Sequence, residues 1–213
     1  MAKRQEVALP VIRRLPRYYR FISGLLTDGV ERISSKELSM RMGLTASQIR
    51  QDLNCFGGFG QQGYGYNLAV LKEEIGKILG LDKMVKLVLI GAGNIGRALV
   101  TRVDFNAVGF ELVAIFDNKP EVIGREIGDL KVEDSSKINE YCKTNQIKAA
   151  VVCVSDKSAK DVIDNLISLD VNIFWNFTHY DILLNHPNKN LSVENVHLND
   201  SLMTLRYLAN EKN

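Results

Sequence analysis

Six residues at 91–96 have a pattern able to hold a phosphate. Gly91, Ala92, Gly93, Asn94, Ile95 and Gly96 fit the spacing G-x-G-x-x-G, after the apolar run "LVLI" and ahead of a helix-like "RALV". In that setting the first glycine permits a tight turn. The second lets a pyrophosphate approach the backbone, and the third lets a helix pack closely on a strand. Free N–H groups and the dipole at the helix start favour phosphate oxygens. Asp117 ends "ELVAIFD", 21 positions after Gly96. A carboxylate there can accept hydrogen bonds from adenosine ribose hydroxyls and would repel a 2′-phosphate, so NAD(H) is preferred over NADP(H). Lys119, close by, blunts that preference. The same turn also suits another adenine nucleotide or coenzyme A.

Groups that could react with such a cofactor are few. A dehydrogenase needs an acid–base residue beside the nicotinamide. His179, flanked by Tyr180 and Asp181, follows a strand-like run; His186 precedes Pro187, and His197 precedes the last helix. No Tyr-x-x-x-Lys pair follows a serine, and no Cys/His nucleophile pattern occurs. Cys55, Cys142 and Cys153 lack metal-type spacing, which implies no metal, no disulfide and a reducing compartment. Only about 110 residues lie between the N-terminal region and the final strand and helix, so a nucleotide fold leaves little for a substrate domain. A pocket without reactants suits a sensor. A small NAD-dependent oxidoreductase is the alternative.

Strands alternating with helices are expected around this turn. Strands are expected at 86–91, 111–117, 149–154, 171–177 and 190–198, with helices near 94–103, 135–144 and 158–168. That alternation implies a parallel sheet covered on both faces. A last amphipathic helix, 199–210, carries Leu202, Leu205 and Leu208.

The first 82 residues have another texture. Residues 1–50 hold ten Lys/Arg against four acidic residues, although the whole chain of 213 residues carries only +2. A basic N-terminal third suggests contact with a polyanion. "VIRRLPRYYRFISGLL" has Ile12, Leu15, Tyr19, Ile22 and Leu26 at helical spacing, with Pro16 placing the start of regular helix near itself. Ser34 with Glu37, and Thr45 with Gln48, have capping-box spacing and open two short helices separated by "GLT". That pattern is a helix-turn-helix. "FGGFGQQGYGY" holds five glycines and four aromatics in eleven residues, which suits the hairpin wing of a winged helix. An amphipathic helix over 68–81 closes the region. No leader-like core follows Met1 and no apolar run approaches the ~20 residues of a membrane span, so a cytoplasmic protein without membrane contact is expected.

With these residues in place, the chain resembles the redox-sensing transcriptional repressors of the Rex family. "VIRRLPRYYR", "RISSKELS", "QIRQDLNCFGGFGQQGYGY", "GAGNIGRAL", "GFELVAIFD" and "LNDSLMTLRYL" carry the resemblance over nearly the whole chain. It implies an α/β protein: a winged helix-turn-helix domain (1–82), a Rossmann-like NAD(H)-binding domain (83–198) and a C-terminal helix (199–213) swapped onto the partner of a homodimer. It implies a repressor, not an enzyme, that binds double-stranded operator DNA when NADH is scarce and is released by NADH. Gly91 to Gly96 match the pyrophosphate turn and Asp117 the ribose contact. Ser47, Gln48, Arg50 and Gln51, with Gln62 and Tyr64 of the wing, are the expected DNA contacts. Arg20 matches a first-helix arginine that senses cofactor state across the domain interface. Gln51 stands where many relatives have lysine and Gln62 where many have arginine, which predicts weaker phosphate anchoring. Arg102 takes a position often held by tyrosine, and His197 one often held by aspartate. Arg20, Arg102 and His197 are the expected switch positions, although an Arg20–Asp pair cannot form at His197.

Overall fold

The computed structural model describes residues 7–57, 60–61 and 64–210. They fall into two units, Met1–Lys83 and Met84–Asn213.

In the first unit α1 (Leu9–Thr27) leads into β1 (Arg32–Ile33), α2 (Ser35–Met42), α3 (Ala46–Asn54), β2 (Gly60–Gln61), β3 (Gly65–Asn67) and α4 (Leu68–Leu79). α1 does not begin near Pro16; it starts seven residues earlier and carries that proline inside. Pro10 takes the first turn, where the missing N–H has no partner to lose. An internal proline costs about 3 kcal/mol. Full burial of Leu15, Tyr18, Ile22 and Leu25 opposes that cost at roughly 1.5–3 kcal/mol per side chain. Tyr18 and Leu25, rather than Tyr19 and Leu26, form the most buried stripe. They meet Leu38 and Met42 of α2, Ile49 and Leu53 of α3, and Leu68, Leu71 and Ile75 of α4.

Caps fix the two short helices. The Ser34 hydroxyl accepts from Glu37 N, and the Glu37 carboxylate accepts from Ser34 N, a complete capping box. Those contacts hold the Glu37 carboxyl below its ordinary pKa. Gly43 ends α2 in the left-handed region at φ 65°. Thr45 Oγ1 accepts from Gln48 N to open α3, but the Gln48 side chain turns to Asp52, so only half of that box exists. β1, β3 and β2 form a small antiparallel sheet in that order, and β2–β3 is the wing hairpin.

The second unit runs β4 (Val85–Ile90), α5 (Asn94–Arg102), β5 (Phe110–Asp117), β6 (Glu126–Ile127), β7 (Leu130–Asp134), α6 (Ile138–Asn145), β8 (Ala149–Val152), α7 (Asp156–Ser168), β9 (Ile173–Asn176), α8 (Ile182–Asn185), β10 (Ser192–Asn195) and α9 (Leu198–Asn210). Its seven strands lie in the order β10-β9-β8-β4-β5-β7-β6, parallel except for β6 against β7. Central β8 is buried throughout, which is why it reads as an unbroken apolar run. The β6–β7 hairpin escaped the sequence reading, because its strands are short and mix charged residues with only Ile127, Leu130 and Val132 facing the core. Gly128, at φ 61°, and Asp129 form its two-residue turn. The helix expected at 135–144 begins as a 3-10 turn, Ser135–Lys137, before α6. The helix expected at 158–168 starts two residues earlier, at Asp156.

The sheet order reverses at β4: β5 lies on one side and β8 on the other. Such a switch point opens a crevice at the carboxyl ends of the strands.

Candidate nucleotide site and nucleic-acid interface

The glycine turn sits at that crevice. Gly91 follows β4 directly, at φ 101°, and a Cβ there would meet the Cys153 carbonyl oxygen at 2.6 Å. A Cβ at Gly96 would stand 2.0 Å from the Gly91 oxygen, so α5 can lie on the turn only if that residue is glycine. Nothing lies within 4 Å of the corresponding point at Gly93, where the backbone is open to a ligand. Gly93 is the N-cap of α5, and no side chain caps the helix. Its first N–H groups therefore remain available to phosphate oxygens. Ala92 is buried; Asn94, whose Oδ1 accepts from Arg97, and Ile95 are exposed.

Asp117 ends β5 almost buried. Its Oδ2 accepts from Ala92 N at 2.7 Å and its Oδ1 from Lys119 N at 2.9 Å. The carboxylate thus ties the tip of β5 to the glycine turn. Each oxygen keeps a lone pair for a ribose hydroxyl. Gly91, Gly93 and Asp117 line one hollow of about 170 Å³ with Ser135, Cys153 and Ser155. Backbone donors, one acidic acceptor and apolar walls together suit the phosphate and ribose of an adenine nucleotide. The sequence reading missed Ser135, Cys153 and Ser155 as site residues, which stand at the ends of β7 and β8 and at the start of α7 without a motif. Burial pushes the Cys153 thiol up to about 12, so it stays protonated.

The histidines are held by carboxylates. His179 Nδ1 lies 3.2 Å from Asp156 Oδ2, and His186 Nε2 lies 2.9 Å from Asp164 Oδ1. His197 faces the Thr178 carbonyl oxygen at 3.2 Å and Asp200 Oδ2 at 3.3 Å. The rings of His179 and His197 stack with centroids 5.4 Å apart. Arg102 is exposed at the end of α5 and is not among these partners of His197. Arg20, exposed on α1, borders a hollow with Phe21, Asp28 and Arg41.

On α3, Ser47, Arg50 and Gln51 are exposed and Gln48 is half-buried. Arg50 Nη1 donates to the Ser35 hydroxyl at 3.0 Å, which leans it along α2. Tyr64 of the wing is 72% exposed. Gln62 lies outside the described residues. Beneath this face Arg14, Tyr18 and Gln48 converge on Asp52. The sequence reading missed Arg14, Tyr18 and Asp52; the four-residue spacing from Gln48 to Asp52 was the signal available.

Comparison with known proteins covers both units. The family described as "Putative DNA-binding protein N-terminus" matches residues 6–54, and "CoA binding domain" matches residues 82–180. A redox-sensing transcriptional repressor Rex of Clostridium acetobutylicum is 49% identical over 100% of this chain and 98% of its own length. Another, of Caldicellulosiruptor bescii, is 48% identical over 100% and 96%. The crystal structure of RSP in complex with beta-NAD+ and operator DNA matches with a TM-score of 0.90 and 45% identity, covering 98% of this chain and 94% of that one. RSP in complex with beta-NADH matches with a TM-score of 0.86 and 42% identity, covering 98% and 96%.

Proposed function

The chain belongs to the Rex family of redox-sensing transcriptional repressors, and from that premise we propose that it is an NADH/NAD+-responsive repressor of operator DNA. The observation that carries this reading is the presence in one chain of a capped helix-turn-helix with a wing and an open, uncapped glycine turn beside Asp117. RSP, similar along its whole length, has been seen with NAD+ and operator DNA and with NADH. These full-length matches outweigh the coenzyme A named for residues 82–180. The family is one of repressors rather than enzymes, and the nucleotide fold takes up nearly all of the second unit, leaving little chain for a substrate domain.

NAD(H) lies on Gly91–Gly96 with its ribose at Asp117. DNA lies against Ser47, Gln48, Arg50, Gln51, Gln62 and Tyr64. Arg20, Arg102 and His197 are the positions at which cofactor state is relayed. The protein binds the operator when NADH is low and leaves it when NADH is high. A ligand shifts such an equilibrium only by binding the two conformations unequally.

A homodimer is part of this reading. α9 buries none of its residues; Leu198, Leu202, Leu205 and Leu208 are exposed. A second apolar surface, over Val103, Phe105, Phe110, Trp175 and Val193, borders a hollow of about 550 Å³. A second copy with a swapped C-terminal helix would cover apolar surface of this kind. A repressor acts where the chromosome is, which places it in the cytoplasm.

The test is a DNA mobility-shift assay at fixed salt, titrated separately with NAD+ and with NADH. NADH releases the duplex and NAD+ does not. Duplex affinity that saturating NADH leaves unchanged rejects the reading, and NADH consumption with a carbonyl substrate would restore the oxidoreductase alternative.

A further inference from the structure

One buried carboxylate in the first unit is used neither by the nucleotide site nor by the exposed face of α3. Asp52 is 1% exposed. It accepts from Arg14 Nε and Nη2 at 2.6 Å each, from the Tyr18 hydroxyl at 2.8 Å and from Gln48 Nε2 at 2.8 Å. We propose that Asp52 is a positioning residue for operator reading: it fixes the amide of Gln48 so that Gln48 accepts an adenine and rejects a guanine. This rests on the DNA-binding reading above and goes beyond it by naming the base and the group that imposes the choice.

The orientation follows from charge. An ionised carboxylate only accepts hydrogen bonds, so the amide group facing it must be the NH2. Burial alone would raise the Asp52 pKa. The Arg14 guanidinium, the Tyr18 hydroxyl and the Gln48 amide outweigh burial and hold it below the ordinary value. Flipping the amide would set Oε1 against that carboxylate, at the 2.8 Å where Nε2 now sits. One amide proton is therefore committed to Asp52. The other, together with Oε1, remains for a partner, and Oε1 takes no hydrogen bond among those found for the described residues.

That remaining pair is a donor beside an acceptor. Adenine shows the matching pair in the major groove, N7 accepting and N6 donating. Guanine shows two acceptors, N7 and O6, so its O6 would face Oε1 and repel it. Gln48 lies in the first turn of the second helix of the helix-turn-helix, the part of such a helix that meets base edges. Arg14 and Tyr18 sit on α1, so the same carboxylate also ties the reading helix to the longest helix of its unit.

The experiment uses the full chain with NAD+ and a randomised pool of DNA duplexes at fixed salt. Bound duplexes are sequenced for the unmodified chain, D52N, Q48N and the double variant. The unmodified chain selects adenine over guanine about ten-fold at one position of each half-site. Q48N, one methylene too short to reach Asp52, loses that preference and keeps the others. D52N loses the same preference, and the double variant loses no more. A D52N chain that binds every duplex more weakly yet keeps the adenine preference overturns the proposal and leaves Asp52 a structural residue. So does an unchanged preference in Q48N. A chain that selects no sequence at all fails the DNA-binding reading itself.

One measurement needs no folded D52N. In the DNA-free chain, one side-chain amide proton of Gln48 is protected from exchange; equal, fast exchange of both overturns the proposal.

Discussion

At Gly96 a single hydrogen replaces what any other residue would place 2.0 Å from the Gly91 oxygen. Gly96→Ala must push α5 away from the turn, at a cost of about 1–3 kcal/mol, and NADH affinity falls; titration of NADH fluorescence reads the loss. Asp52 is the second decisive residue. Its lowered pKa means that its contribution is complete above roughly pH 4, the ordinary carboxylate value. The contribution is lost as pH falls below that toward the folded value. Asp52→Asn leaves the Arg14 guanidinium without its counter-charge, costs about 3 kcal/mol and flattens the acid limb of urea midpoint against pH. Unchanged acid sensitivity would show that other carboxylates govern that limb. Arg50 acts on the outer face. Arg50→Ala lowers operator affinity by about 1–3 kcal/mol, and unchanged affinity in a mobility shift would remove Arg50 from the interface.

At the scale of elements, the helix-turn-helix depends on its caps. α2 and α3 have eight and nine residues, too short to hold together alone. Thr45→Ala removes the acceptor for Gln48 N and costs about 1 kcal/mol, read as a lower denaturant midpoint and weaker operator binding. These caps were legible because they are local, three residues apart. The course of α1 through Pro16 was not, since the burial that offsets the proline comes from α2, α3 and α4. β6 and β7 were missed because they are short, two and five residues, and bring only Ile127, Leu130 and Val132 to the core, too few positions to set a period.

At the scale of the whole molecule, the second unit leaves α9 exposed along its length. A chain ending at residue 197 loses Leu198, Leu202, Leu205 and Leu208 and should sediment at about half the mass of the full chain. It should also bind a two-half-site operator far more weakly, because one protein then meets each half-site alone. An unchanged mass in sedimentation would show that α9 is not what joins two copies of the chain.

Local order was enough to reveal the glycine turn, the carboxylate of Asp117 at the end of the next strand, both helix caps and the division between a basic helical region and an alternating strand–helix region. Each is carried by neighbours in the chain or by one unbroken period. The tertiary structure alone decided what those residues touch. It set the reversal of strand order at β4, which puts Gly91 beside Cys153, and the tie from Asp117 back to Ala92. It also gathered Arg14, Tyr18 and Gln48 around Asp52, up to 38 positions apart. Contacts between distant positions leave no period in a sequence, because their partners are set by how helices and strands pack rather than by which residue follows which.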